Sequence, residues 1–179
     1  LDGTTNYSRG YPVYSVSIAL AQQGRGRVGV VYDPLRDECF YAREGSGAFL
    51  NGMPLRVSQV NKFENALFGF ELSHDQALRE RGLQWFARLG SQSVTARIGG
   101  SAALSFCYIA AARLDGYMHL SLNPWDVAAG IVIAREAGAR VTHLDGSSAS
   151  LEGGAYMAAN RKFLPVMLKA VQELEAQTS

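Results

Sequence analysis

Apolar and polar positions alternate with a period near two from Val13 to Leu20, which predicts a β-strand ending at the turn Gln22-Gln23-Gly24. Val28–Tyr32 and Glu38–Ala42 carry the same signature, with Asp33-Pro34-Leu35-Arg36-Asp37 as the turn between them. The three read as an antiparallel meander. Gly45–Gly52 supplies tight turns around a short strand that Leu55–Ser58 is expected to continue. The polar, aperiodic stretch 61–65 marks the expected boundary between a subdomain over 1–62, built on the antiparallel sheet, and an α/β subdomain over 63–179.

Strands and helices mix in the second half. Ala66–Phe70 reads as a strand, and His74–Leu89 as a helix with Ser73 as its cap. Ser93–Ile98 is a short strand running into Gly99-Gly100-Ser101, and Ala102–Ala112, apolar and rich in small residues, is a helix packed closely on a sheet. Leu114–Leu120 is a strand stopped by Asn123-Pro124, because the residue before proline avoids the helical region. Trp125–Glu136 is a helix, Arg140–Thr142 and Ala155–Ala159 are strands around a polar turn, and Lys162–Glu175 is the closing helix. The fold class is mixed α+β and α/β.

Composition narrows the function classes. An apolar fraction of 47% with 18% charged residues describes a globular chain. Seventeen basic against sixteen acidic residues give a net charge of +1, so no global field recruits nucleic acid or an anionic membrane. Attraction to an anion has to be local. No apolar run approaches the length of a membrane span. Cys39 and Cys107 lack metal-ligand spacing and read as reduced thiols of a cytoplasmic protein. Gly24-Arg25-Gly26-Arg27-Val28-Gly29 satisfies G-x-G-x-x-G, but V-V-Y-D-P follows it instead of a helix, so it reads as a hairpin turn and not a dinucleotide site.

Two stretches carry chemistry. Leu1-Asp2-Gly3-Thr4-Thr5-Asn6 sets a hard carboxylate ligand, a glycine and two hydroxyls in succession, a set suited to Mg²⁺ and phosphate although it is equally good turn composition. Trp125-Asp126-Val127-Ala128-Ala129-Gly130, followed by Glu136-Ala137-Gly138, puts a carboxylate at a helix N-terminus, where the dipole alone would favour it by up to about 1 kcal/mol. Gly99-Gly100-Ser101 is both a serine-capped strand-to-helix turn and a source of N–H groups aimed at a ligand's oxygens.

Taken together, L-D-G-T-T-N and W-D-V-A-A-G resemble the two signatures of the inositol monophosphatase family, within the lithium-sensitive, Mg²⁺-dependent sugar-phosphatase superfamily. Val28-Gly29-Val30-Val31-Tyr32-Asp33-Pro34, Gly47–Gly52 and Gly100-Ser101-Ala102-Ala103 fall in the family's order, so the similarity covers essentially the whole chain. The resemblance implies a layered αβαβα fold lacking its N-terminal helices and first strands. The family motif opens one turn earlier, as W-I-[VI]-D-P-[LI]-D-G-T-T-N, with acidic ligands further upstream, whereas this sequence opens at Leu1. The 179 residues alone are therefore expected to be inactive.

The roles implied by the resemblance are specific. Leu1, Asp2 and Asp126 would hold Mg²⁺, and Li⁺ would inhibit. Thr4 and Asp2 would serve catalysis, with Gly3 and Thr4 cradling the phosphate. Gly100, Ser101, Ala102 and His119 would contact substrate. His119 stands where the family commonly carries a glutamate that accepts hydrogen bonds from inositol hydroxyls. An imidazole accepts through one nitrogen only when neutral, so His119 either contacts substrate differently or simply closes a strand end. The implied activity is hydrolysis of a small phosphorylated polyol or sugar by a metal-activated water. Histidinol phosphate, fructose 1,6-bisphosphate, a nucleotide 3′-phosphate, or a non-catalytic role in binding RNA or protein are the alternatives. A homodimer without membrane attachment is the expected assembly.

Overall fold

The computed structural model describes residues 1–178. Two five-stranded sheets alternate with helices. The first is an antiparallel meander of β1 (Val16–Gln22), β2 (Arg25–Asp33), β3 (Glu38–Arg43), β4 (Ala48–Leu50) and β5 (Met53–Pro54), in that spatial order. The second contains β6 (Leu67–Glu71), β7 (Thr95–Arg97), β8 (Gly116–Leu122), β9 (Ala139–Thr142) and β10 (Gly154–Asn160), in the order β7-β6-β8-β10-β9. β6 runs parallel to both β7 and β8, while β10 is antiparallel to both β8 and β9.

Side-chain alternation assigns the layers. Between the sheets lie α3 (Ala102–Ala110) and α4 (Pro124–Glu136). On one side Leu104, Cys107, Ala129 and Ile133 pack with Val31 and Phe40 of the first sheet. On the other, Phe106, Val127 and Ile131 pack with Tyr117, Tyr156 and Ala158 of the second. Small residues are needed here because the layers approach closely: a Cβ on Gly29 would lie 2.5 Å from the Ala129 carbonyl oxygen, and one on Gly130 would lie 2.6 Å from Phe106 Cβ. The far face of the second sheet, with Phe68, Phe70, Met118 and Met157, is covered by α2 (Gln76–Gly90) and α5 (Leu164–Thr178), through Trp85, Leu89, Leu164 and Met167. The order sheet, helices, sheet, helices matches the expected layering, with no outer helical layer on the first sheet among the described residues.

Several boundaries differ from expectation for local reasons. The hairpin reading of Gly24–Gly29 holds, since these residues form the β1–β2 turn and the start of β2. Leu55–Ser58 forms no strand. The chain leaves the sheet there to reach the end of α4, where the Val57 N–H donates to the Ala137 carbonyl at 3.1 Å. Asp75, not Ser73, caps α2 by accepting from the Leu78 N–H at 2.9 Å, and the Ser73 hydroxyl accepts from the Asp75 N–H instead. β6 runs one residue past Phe70 to Glu71. His119 lies within β8 and does not close its end. Among the described residues no helix is long and apolar enough to cross a membrane.

Candidate functional site

A cavity of about 480 Å³ opens where β6 and β8 end and α3 and α4 begin. Ligand clefts in α/β sheets form at such strand ends, because the turn leaving each strand exposes backbone there. The opening hexapeptide forms one wall. Asp2 pairs with Ser15 as an isolated bridge, its N–H donating to the Ser15 carbonyl at 2.8 Å, and the short helix α1 (Thr4–Ser8) follows. Gly3 precedes α1 at φ 78°, where a Cβ would lie 2.8 Å from the Val13 carbonyl oxygen. Gly3 caps α1 without a side chain, so the first N–H groups of α1 have no side-chain acceptor.

Asn6 ties this wall to the next. Its amide donates to the carbonyls of Val13 at 2.7 Å and Gly99 at 2.9 Å. Gly100 passes against Asn6 at φ 82°, leaving no room for a Cβ. Ser101 caps α3 by accepting from the Leu104 N–H at 3.3 Å, and its hydroxyl donates to Asp2 Oδ2. The Ala103 N–H donates to the same oxygen at 3.2 Å. Asp2 Oδ2 is therefore committed, and Oδ1 has no hydrogen-bond partner among the described residues.

Asp126 faces the same cavity from the first turn of α4. Its Oδ2 accepts from the Asn123 N–H at 2.9 Å, which again leaves one oxygen uncommitted among the described residues. Burial raises the Asp2 carboxyl to about 6, against the lowering effect of Ser101 and Ala103, and the nearby charge of Asp126 adds to the rise. No lysine or arginine lines the cavity. Two carboxylates with a spare oxygen each, and no lysine or arginine to balance them, form a donor set that fits a hard divalent cation. No group of three or more His, Cys, Asp or Glu suited to a metal occurs among the described residues, so this chain supplies a carboxylate pair and not a closed cage.

Every residue expected at the site except Ser101 lines the cavity, namely Leu1, Asp2, Gly3, Thr4, Gly100, Ala102, His119 and Asp126. Ser101 stands behind the wall, buried, and acts on Asp2. Sequence reading missed Glu71. On β6, Phe68 and Phe70 enter the core beneath α2 and α5, so Gly69 and Glu71 face the other way, and Glu71 reaches the cavity beside His119, its partner in the β6–β8 register. It is 5% exposed. Its carboxylate accepts from the Gly99 N–H at 3.2 Å, the Gly100 N–H at 2.7 Å and the Ser105 hydroxyl at 3.1 Å, so it holds the glycine turn in place. Burial nonetheless raises its carboxyl to about 7. The only signal in the sequence was an acid at the end of an apolar strand. His74, which sequence reading left without a role, also lines the cavity.

Known proteins share this sequence pattern and fold. The model of the inositol monophosphatase family matches residues 1–176. The chain is 38% identical over 174 residues to the Nus factor SuhB of Vibrio cholerae and 38% identical over 178 residues to an inositol-1-monophosphatase of Mesorhizobium japonicum; each match covers 97% of this chain. It spans 65% of the length of either relative. The solved inositol monophosphatase of Anabaena (Nostoc) superposes with a TM-score of 0.91 at 35% identity, over 96% of this chain and 69% of that one. Sequence, layering and the shared cavity of the two aspartate motifs lead to one assignment: the chain belongs to the inositol monophosphatase family.

Proposed function

We propose that the protein is a Mg²⁺-dependent phosphomonoesterase acting on a small organic phosphate. The observation that carries this reading is the Asp2–Asp126 pair, two carboxylates on one cavity with an uncommitted oxygen each and no lysine or arginine beside them among the described residues. Mg²⁺ is commonly bound through one or two carboxylates together with substrate phosphate and water, so the pair suffices as this chain's share of a site. Leu1 lines the same wall and would contribute its carbonyl. A divalent cation there would polarise the phosphoryl oxygens and lower the pKa of a bound water.

The remaining roles fall to groups of this chain. Thr4 is exposed to the cavity, and its hydroxyl would orient the attacking water. Backbone N–H groups at the start of α1 would receive phosphate oxygens. Ser101 and the Ala103 N–H hold Asp2 by Oδ2 and leave Oδ1 free for a cation. Because the Asp2 carboxyl titrates near 6, protons compete with the metal, and cation affinity is expected to fall as the pH drops below that value.

Asp126→Asn in the protein at its natural length tests the reading. Loss of a carboxylate that anchors a catalytic cation should lower kcat/KM about a hundredfold or more. Activity within about threefold of the parent would remove the metal role. A second reading, a binding relative that need not turn over phosphate, is favoured by the name of the Vibrio cholerae protein. Calorimetric titration with Mg²⁺ separates the two, since the enzyme requires the cation and a scaffold does not.

A further inference from the structure

A second cavity, of about 630 Å³, opens at the other end of α4. Asp126 lies in the first turn of that helix and Glu136 is its last residue, so at a rise of about 1.5 Å per residue the two ends are roughly 15 Å apart. The cavity lies between the segment that leaves the first sheet after β5 and the turn that joins β10 to α5. Arg56 borders it from the first, and Arg161 and Lys162 from the second. All three are exposed, and among the described residues none of their side chains forms an ion pair or a hydrogen bond.

The backbone that gathers these cations is pinned in place. Asn160, 4% exposed, accepts at Oδ1 from the Lys162 N–H at 2.8 Å and the Phe163 N–H at 3.0 Å, while its Nδ2 donates to the Val60 carbonyl at 2.6 Å. It ties the Arg161–Lys162 turn to the segment that carries Arg56, and Val57 ties that segment to Ala137 after α4. The opposing charge is smaller. Glu136 is the one acid lining the cavity among the described residues, and its oxygens already accept from the Gly45 N–H at 2.9 Å and the Gly47 N–H at 2.8 Å. The carbonyl end of α4 adds about half a negative charge. Three positive charges exceed both together, and in a concave wall with apolar surface from Phe49, Pro54 and Leu55 they focus a positive field. An anion of several charges relieves the repulsion among them, and guanidinium groups pair with phosphate oxygens two at a time.

We propose that this cavity binds an oligophosphate chain, free or as the phosphate tail of a nucleotide, at a site separate from the one that Asp2 and Asp126 share. Calorimetric titration of the protein at its natural length with sodium tripolyphosphate, in a chelating buffer of low ionic strength, tests it. Without a divalent cation the carboxylate pair repels an anion, so binding under these conditions reports on the second cavity and not on the phosphatase reading. One tripolyphosphate per chain is expected, with a dissociation constant of about 100 μM or tighter. Arg56→Ala, and Arg161→Ala combined with Lys162→Ala, should each weaken it about tenfold or more, and these exposed side chains can be removed without opening the core.

Two controls make the result specific. Arg88→Ala removes an exposed cation of α2 that does not line the cavity, and Asp126→Asn alters the first site. Both should leave tripolyphosphate binding within about threefold of the parent. Binding weaker than about 1 mM, a loss with Arg88→Ala equal to that with Arg56→Ala, or a loss with Asp126→Asn overturns the proposal. Adenosine triphosphate in the same buffer identifies the source. Affinity about tenfold above that of tripolyphosphate supports the site as one for a nucleotide, whose base would lie on the apolar wall, and equal affinity supports it as one for the free chain.

Discussion

Glu71 sets two demands against each other, and replacing it by glutamine separates them. Three donors favour its charged form, yet burial opposes that charge strongly enough to raise the carboxyl from 4.5 to about 7. Each pH unit of such a rise is worth about 1.4 kcal/mol, so the ionised group destabilises the folded chain by about 3 kcal/mol relative to the protonated one. The sign follows from proton binding. Between 4.5 and about 7 the folded state binds more protons than the unfolded state, and stability falls as the pH rises through that window. Glu71→Gln removes the titration, and its NH2 group faces a donor at one of the two oxygen positions, a cost that is the same at every pH. Urea unfolding in a chelating buffer should therefore give a parent–variant difference that moves with pH. Between about pH 4.5 and pH 8 it should shift by about 3 kcal/mol in the variant's favour. Asp2 titrates in both proteins, and because its charge adds to the rise at Glu71 the comparison reads the two carboxyls together. A stability difference that stays constant within about 0.5 kcal/mol across this range would show that the carboxylate is not desolvated, and the reasoning would fail.

Two further outcomes test the layering and the capping. Gly29→Ala drives a Cβ to 2.5 Å from the Ala129 carbonyl oxygen, a backbone atom that cannot rotate away, so the sheet and α4 must separate. A loss of about 3 kcal/mol in denaturant unfolding is expected, and a change below about 0.5 kcal/mol would contradict the close approach. Asp75→Ala should cost about 1 kcal/mol by removing the cap of α2, and Ser73→Ala clearly less, as read from thermal midpoints; the reverse order would restore Ser73 as the cap.

Much of this protein is local and therefore written in its sequence. Period-two alternation at Val28–Tyr32 and Glu38–Ala42, closed by a proline turn, leaves a hairpin as the favourable local solution, and β2 and β3 form as expected. Ser101 before an apolar run and Asn123-Pro124 before another fix the starts of α3 and α4, because a side-chain acceptor or a proline is needed at those positions. The two aspartate motifs gave the candidate metal pair by their residue types and order.

What the tertiary structure decided concerns contacts between residues distant in the chain. Glu71 joins the site only because Phe68 and Phe70 commit the other face of β6 to the core, and because Gly99 and Gly100 return alongside it. Leu55–Ser58 has strand-like composition yet leaves the sheet, since the end of α4 offers Val57 a partner. Which nitrogen of His119 accepts from the Ser121 N–H is a fact of geometry that no residue type encodes. Propensity and periodicity act over a few residues, whereas burial, hydrogen-bond polarity and the meeting of Asp2 with Asp126 are fixed only when the layers close.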